Sequence, residues 1–413
     1  MNSKNTNEYI NKFIKIYPLL KGFTDDLLFF IAIDTLFFTV VKGLSAQEIV
    51  TLTTISSLFS IICRLLLIKI IKKIGNTYSV RLGMGLLLLS AIFITFGTNY
   101  FWLMIGKIIY EIAWIFKDMD NVMLKNNLTI LGRQNEYAKI TNKGMIVYAF
   151  LTFIVALSSG FIFNINPYLP MILCILICVI ANIIYFFMKD VSANNIIKEE
   201  TTTKVKSNKK IKLPSILLTI LLSYAIFFGT VTAGQQNSKL LIQYELSNLY
   251  STTTVSLYLG IIVAFSRIAR LLSTIICGKV YPKLKNKFLI ILSAMLLSSF
   301  GFILIGYYCL IPTIKFILMA IGFCIILSVR DPFRLYTQDI ILKISPPHEH
   351  QLAVSYIQFA RKIGTTICSI AISALLLKWD LIYVIFGIST LAFIEFLIAF
   401  RLYSLLKNSA YNT

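Results

Sequence analysis

Long apolar stretches recur along almost the whole chain, and short polar segments separate them. Each stretch is long enough to cross the roughly 30 Å hydrocarbon core of a bilayer as an α-helix. The pattern predicts twelve helices, near 18–41, 48–69, 79–98, 100–123, 139–163, 168–188, 213–238, 250–277, 288–309, 312–342, 351–377 and 380–404. We therefore expect an all-α membrane protein with twelve transmembrane helices and no sizeable soluble domain.

One long polar interruption, residues 189–212, divides the predicted helices into two sets of six. It holds seven Lys and three acidic residues, a composition typical of a solvated linker. The expected organisation is an N-terminal six-helix bundle at 1–188, the linker at 189–212 and a C-terminal six-helix bundle at 213–413.

The two sets of helices also resemble each other in sequence. Three matches occur in the same order in both halves: "LFSIICRLL" (58–66) with "AFSRIARLL" (264–272), "LLSA" (88–91) with "ILSA" (291–294), and "FKD" (116–118) with "VRD" (329–331). Matches in a constant order indicate an internal duplication. The duplication predicts two pseudo-symmetric bundles.

The net charge of +21 among 413 residues is explained by where the basic residues lie. Most of the 39 Lys and Arg fall in the termini, the linker and the loops of one side. The loops of the other side hold only Lys42, Lys239, Lys315 and Lys378. This is the positive-inside bias, and it predicts a multi-pass plasma-membrane protein with both termini cytoplasmic. We expect no nucleic-acid partner.

Six helices, a basic linker and six further helices, with a weak repeat between the halves, resemble the major facilitator superfamily over essentially the whole chain. The family's loop motif, G-x-x-x-D-R-x-G-R-R, falls on "IKIIKKIGNTYSVRLG" (68–83). Lys73, Gly75 and Gly83 match it, whereas Ile68 and Lys72 replace its first glycine and its aspartate. The resemblance implies the major facilitator fold, with Lys73, Gly75 and Gly83 in a gating loop.

Charged residues interrupt the predicted fourth helix, where a formal charge at mid-bilayer costs about 2.5–3.5 kcal/mol. At 3.6 residues per turn, Lys107, Glu111 and Asp118 share one face of this helix, and Lys117 lies about 100° around it. Intramembrane ionisable groups usually face a bundle interior or a water-filled cavity. These four residues are therefore predicted to line a polar cavity.

The first and tenth helices supply matching charges. By helical rise, Asp25 or Asp26 lies at the depth of Lys117, and Asp34 at that of Lys107. The tenth helix carries Arg330, Asp331 and Arg334, and Pro332 predicts a kink or an unwound turn. The predicted proton-coupling and substrate-cavity residues are thus Asp26, Asp34, Lys107, Glu111, Lys117, Asp118, Arg330, Asp331 and Arg334. Asp120, Asp339 and Arg64, near helix ends, are interpreted as structural.

These features favour a secondary transporter that moves a small molecule or peptide by alternating access, with protons as the coupling ion. Export is favoured over import only by the general frequency of such exporters. No Walker A sequence, HExxH motif or nucleophile elbow occurs, so neither ATP hydrolysis nor enzyme activity is expected. We expect no cofactor, no metal and a monomer in the lipid bilayer.

Two other transport functions stay open. A lipid-linked oligosaccharide flippase of the other common twelve-helix type would also be basic, with scattered intramembrane Arg and Lys. The linker and the half-to-half repeat favour the transporter family over a flippase. An importer on the same fold, or a sensor that does not transport, would look the same in sequence.

Overall fold

The computed structural model describes residues 3–133, 136–188, 215–284, 287–344 and 350–408. Nearly all of these residues are helical, and no strand occurs among them. The prediction of an all-α protein is confirmed. The predicted linker 189–212 lies outside the described residues.

The described residues before the linker form seven α-helices. They are α1 Ser3–Thr24, α2 Leu28–Leu36, α3 Ala46–Phe96, α4 Tyr100–Lys117, α5 Met119–Ile130, α6 Tyr137–Ile165 and α7 Leu169–Phe187. A π-helical turn, Phe37–Val41, continues α2. Within α3 the backbone leaves the helical region at Gly75 (φ 80°), so α3 comprises two helices that meet at a kink.

The described residues after the linker form six α-helices. They are α8 Ser215–Ser247, α9 Thr252–Leu284, α10 Lys287–Tyr308, α11 Pro312–Ile344, α12 His350–Leu375 and α13 Leu381–Asn408. With α1–α2 and α4–α5 each counted as one interrupted span and α3 as two, the structure has the twelve spans that the sequence predicts.

In the part of the chain that the structure describes, nine spans are long and apolar enough to cross a membrane. They lie in α3 (two spans), α6, α7, α8, α9, α10, α11 and α13. The remaining three spans are the first (α1–α2), the fourth (α4–α5) and α12. They differ from the nine in that they contain more charged residues or are interrupted. Polar chemistry inside the membrane is therefore concentrated on a few helices.

Local sequence signals fix several helix ends. Before α3, the Glu48 amide donates to the Ser45 hydroxyl (3.2 Å), and the Ser45 amide donates to the Glu48 carboxylate (2.8 Å), a capping box. Before α4, the Asn99 side chain accepts from the Trp102 amide at 3.2 Å. Each cap satisfies amides that the first helical turn leaves without a partner.

The chain divides into two compact units, one from residues 1–34 and 55–210 and the other from residues 35–54 and 211–413. In the first unit, α1 packs against α5, α6 and α7. In the second, α8 packs against α9, α11, α12 and α13. The bundle boundaries inferred from the repeat stay a prediction.

Side-chain hydrogen bonds join residues 35–54 to the rest of the second unit. Gln243 donates to the Thr39 hydroxyl (2.5 Å), and Gln236 donates to that of Thr53 (3.4 Å). The hydroxyls of Thr51 and Ser373 lie 2.6 Å apart. All of these groups are uncharged.

The structure corrects one expectation about helix interruptions. Helix α11 continues through Pro332 as an α-helix, so the unwound turn is wrong, whereas the alternative of a kink at Pro332 stays a prediction. The interruptions lie instead in the first span, at residues 25–27, and in the fourth span, at Asp118. An Asp, rather than a Pro, stands at both of these points.

Candidate functional site

The first span is interrupted where two acidic residues can cap a new helix. Between α1 and α2, the Asp26 carboxylate accepts from the Leu27 amide at 2.8 Å. The Thr24 hydroxyl donates to the Leu20 carbonyl at 2.8 Å. These bonds satisfy the Leu27 amide and the Thr24 hydroxyl, for which lipid would offer no partner. Discontinuous membrane helices are common at the binding sites of transporters.

Ion pairs connect this interruption to the one in the fourth span. The Lys21 ammonium lies 3.0 Å from Asp25 and 3.6 Å from Asp120, and the Lys117 ammonium lies 3.5 Å from Asp120. Lys117 and Asp120 are each 1% exposed. We call Lys21, Asp25, Lys117 and Asp120 the first-unit cluster. Its two ammonium groups and two carboxylates balance in charge.

Asp26 belongs to a neighbouring polar group. The Tyr110 hydroxyl donates to its carboxylate, and Lys107 interacts electrostatically with it. The Lys107 ammonium also lies 4.9 Å from the centre of the Tyr110 ring and 5.5 Å from that of Phe30. Cation–π contacts of this kind stabilise an ammonium group away from water.

The structure changes the pairing that helix depth predicted. Depth alone matched Lys117 with Asp25 or Asp26, but Asp120 is the carboxylate within ion-pair distance of Lys117. Asp120, interpreted from sequence as a residue near a helix end, is fully buried because α5 continues the fourth span to Ile130. Helical rise gives the depth of a residue and leaves its lateral neighbour undetermined.

The other predicted residues of this half occupy different environments. Asp34 on α2 and Glu111 on α4 are partly buried. Asp118 stands at the junction of α4 and α5, and its side chain is exposed. The face shared by Lys107 and Glu111 therefore ends before Asp118, although Asp118 interacts electrostatically with Lys21, Lys117 and Arg64.

The predicted gating-loop residues have separate structural roles. Lys73 is exposed, and Gly75 forms the kink of α3. Gly83 lies against the backbone of α4, where an added Cβ would sit 2.6 Å from the Lys117 nitrogen and 2.9 Å from the Ala113 oxygen. Only a residue without a side chain allows α3 and α4 to approach this closely, so Gly83 helps to position Lys117.

A second charged group lies in the second unit and contains the predicted Arg330, Asp331 and Arg334. The Arg270 Nε lies 2.5 Å from Asp331, and an Arg334 terminal nitrogen lies 3.6 Å from it. Arg330 interacts electrostatically with Arg270, Arg334 and Arg361 as well as with Asp331. We call the set Arg270, Arg330, Asp331, Arg334 and Arg361 the second-unit cluster.

Buried aromatic rings pack beside the second-unit cluster. The Arg361 guanidinium lies 4.9 Å from the centre of the Phe228 ring. Phe227 stacks on Phe333 with ring centres 3.5 Å apart, and the Tyr224 ring lies 4.6 Å from that of Phe228. All four rings are at most 1% exposed. The cluster therefore has an apolar wall on one side.

The sequence-based site lacked several of these residues: Lys21, Tyr110, Asp120, Tyr224, Arg270, Arg361 and Glu395. A signal existed for Arg270, because it aligns with Arg64 in the repeated segment, and for Arg361, a charge within a predicted helix. Glu395, in the run "LAFIEFLIAF", is 0% exposed and accepts from the Ser223 hydroxyl at 3.0 Å. Nothing in the sequence indicated that Tyr224 lies beside arginines.

Chemically, the described residues offer ion pairing, proton exchange and anion binding. The carboxylates of Asp25, Asp26 and Asp120 lie beside ammonium groups or a phenol, so a movement that breaks such a contact changes the free energy of holding a proton. No group of three or more His, Cys, Asp or Glu within the described ranges is placed to hold a metal ion.

Comparison with solved structures identifies the fold. The chain is similar to a D-xylose–proton symporter (TM-score 0.70, 13% identity, covering 95% of this chain and 97% of that chain). It is similar to the nucleoside transporter NupG (0.68, 12%, 99% and 100%). It is also similar to a bacterial homologue of the human lysosomal transporter Spinster (0.66, 11%, 98% and 97%).

At these identities the likeness establishes the fold alone, which is the fold that these three transporters share. The predicted fold class is therefore confirmed. No family model matches the chain. No curated protein sequence matches it either.

Proposed function

We propose that the chain is a secondary active transporter that moves a small molecule or peptide across the plasma membrane by alternating access. Its transport is coupled to protons and runs in the direction of export. Both termini and residues 189–212 are cytoplasmic, and the chain works as a monomer in the bilayer. The observation that carries this proposal is the meeting of two interrupted membrane spans at the first-unit cluster.

An interrupted span supports transport because it places polar backbone and side chains at membrane depth. Such an arrangement costs free energy unless the polar groups serve a ligand or an ion. The Asp26–Tyr110 contact and the ion pairs of Asp25 and Asp120 bring both interruptions together. A purely structural membrane bundle could have used apolar residues at these positions.

Proton coupling is supported by the carboxylates that lie near these interruptions. Asp34 on α2 and Glu111 on α4 are partly buried, and each lies on a helix that adjoins an interruption. A carboxylate in this position can gain a proton when it is desolvated and lose it when a cation approaches. We assign the proton-carrying step to Asp34, with Lys107 and Asp26 as neighbours at the interrupted span.

Alternating access is supported by the hydrogen bonds of residues 35–54. Three contacts between uncharged side chains join this segment to α8 and α12. Each such bond stabilises the closed arrangement by about 0.5–1.5 kcal/mol net. The free energy of binding a substrate or a proton can offset the loss of these bonds on opening. We assign these bonds to the closure of the outer side.

Transport can be tested while the substrate is still unidentified. Purified protein is reconstituted into liposomes loaded with a defined metabolite extract, and mass spectrometry follows which compounds leave. Proton antiport predicts faster loss when the outside is acidic, and symport predicts faster loss when the lumen is acidic. Protein-free liposomes are the control.

The expected result is a small set of compounds whose loss requires both the protein and external acid. Loss of a compound driven by luminal acid would indicate symport, and the proposed direction would then be import rather than export. If no compound responds to either gradient, the proton-coupled proposal is wrong.

A further inference from the structure

The second-unit cluster carries more positive charge than its own carboxylate can balance. Four arginines surround Asp331, which is the one carboxylate among the strongest electrostatic partners of Arg330 and Arg361 within the described residues. Asp331 is already engaged by Arg270 and Arg334. Guanidinium groups keep their charge in proteins, so the cluster as defined carries four positive charges and one negative charge.

A buried hydroxyl beside the same arginines has no acceptor. Tyr224 is 0% exposed, and among the described residues its hydroxyl has no hydrogen-bond partner. It interacts electrostatically with Arg330, Arg334 and Arg361. Leaving such a group unsatisfied destabilises the folded protein. Asp331 also interacts electrostatically with this hydroxyl, but no hydrogen bond joins them among the described residues. The hydroxyl is therefore free to donate to an oxyanion that reaches the arginines.

Four helices bring these groups to one level of the second unit. Arg270 and Arg330 lie about 21 Å before the ends of α9 and α11, and Tyr224 and Arg361 lie about 14–17 Å after the starts of α8 and α12. Gly364 of α12 lies so close to α8 that an added Cβ would clash with the Ala225 backbone oxygen. This close approach places Arg361 beside Tyr224.

The cluster is also accessible from one side. The Arg334 side chain is 31% exposed, whereas those of Arg270 and Asp331 are 15% and 12% exposed. The aromatic rings of Phe227, Phe228 and Phe333 are buried, and that of Phe228 contacts the Arg361 guanidinium. A ligand would therefore meet guanidinium groups and a phenol at one end and apolar rings at the other.

We propose that the second-unit cluster, with the Tyr224 hydroxyl, is a binding site for a small organic oxyanion that bears a carboxylate or phosphate group. Arginine forks match the oxygen pairs of both groups and form the stronger, charge-assisted hydrogen bonds. The inference rests on the proposed transport function, of which it names the substrate class. The aromatic wall favours an anion with an apolar body over inorganic phosphate.

Anion binding can be measured on the detergent-solubilised full chain, without transport. The probes are benzoate, phenyl phosphate and inorganic phosphate, with benzyl alcohol as the uncharged match to benzoate. Calorimetry gives the affinity, and the unfolding temperature gives an independent readout because a ligand that binds the folded state raises it. Short-chain phosphatidic acid tests whether a lipid headgroup is the source of the anion.

The expected result is binding of benzoate or phenyl phosphate, but not of benzyl alcohol, and an affinity at least about tenfold lower in Tyr224→Phe and Arg361→Gln. Arg401→Gln, an exposed arginine on α13, serves as the matched control and should bind like the parent. Without ligand, Arg330→Gln should unfold at a higher temperature than the parent, because it relieves repulsion among the arginines. A purely structural arginine would give the opposite shift.

Three results would overturn the inference: equal binding of benzyl alcohol, binding of phosphatidic acid alone, or unchanged anion affinity in both Tyr224→Phe and Arg361→Gln. Failure of the liposome experiment would leave this binding result intact. Conversely, acid-driven loss of uncharged compounds, without anion binding by the purified chain, would reject only the oxyanion site.

Discussion

The two charged clusters differ in how their charges are balanced. The first-unit cluster pairs two lysines with two aspartates, and its interior carboxylate, Asp120, contacts both ammonium groups. The second-unit cluster places four arginines around one aspartate. The charges of the first cancel within the protein, although the Lys117 ammonium and both Asp120 oxygens make no hydrogen bond among the described residues. The second carries an excess of positive charge, which we assign to the binding of an anion. The difference indicates that related positions of a duplicated fold have taken different roles.

The shared origin of the two clusters is visible in one pair of positions. Arg270 and Asp331, which form an ion pair, fall in the repeated segments that contain Arg64 and Asp118 in the first half. Arg64 and Asp118 also interact electrostatically. An Arg–Asp pair therefore occurs at matching positions of both halves, as the predicted duplication requires, although Arg64 and Asp118 lie outside the first-unit cluster.

The largest effect is expected from breaking the balance of the first-unit cluster. Asp120→Asn leaves Lys21 and Lys117 buried without their shared carboxylate, and removal of one partner from a buried ion pair costs about 3–5 kcal/mol. We expect a marked fall in expression and in the unfolding temperature of the purified protein. The sequence-based interpretation placed Asp120 near a helix end and predicted a mild effect, whereas its buried ion pairs predict a large one.

The matched control for Asp120→Asn is Glu136→Gln. Glu136 pairs with Arg133, but both side chains are about 40% exposed, and solvent weakens such pairs. The unfolding temperature should stay within error of the parent. An equal loss of stability in both variants would show that burial does not distinguish the two pairs.

A smaller effect is expected from the glycine that positions Lys117. Gly83→Ala places a methyl group 2.6 Å from the Lys117 nitrogen, so α3 and α4 must separate, at a typical cost of about 1–3 kcal/mol. Thermal unfolding should show a clear decrease. Gly85→Ala is the control, because no atom lies within 4 Å of its added Cβ, and it should be neutral or slightly stabilising. A neutral Gly83→Ala would show that the close approach does not limit packing.

Much of the fold follows from the hydropathy pattern, since every predicted span corresponds to a helix or a pair of helices in the structure. The interruption at residues 25–27 was not predicted. An acidic side chain can cap a helix only where the backbone leaves the helical conformation, and the sequence does not show where that happens. The continuity of α11 through Pro332 was also not predicted. Neighbouring helices decide whether a proline ends a membrane helix.

The candidate site was predictable only in part. The sequence indicated that Lys107, Lys117 and Arg330 lie in polar surroundings, because charges within apolar runs are costly. It could not give the partner of Lys117 or the approach of Arg361 to Tyr224, since both depend on how helices are rotated about their axes. Close glycine contacts, such as that of Gly364 with Ala225, determine this rotation and leave little signal in one sequence.

The most direct test of the proposed transport mechanism is a comparison of parent and Asp34→Asn in the liposome assay. An amide cannot exchange the proton that a carboxylate carries. The variant should fold, reach the membrane and exchange substrate between equal concentrations on both sides, yet lose the acceleration by external acid. Acid-driven loss in Asp34→Asn at the parental rate would contradict the assignment of proton coupling to Asp34.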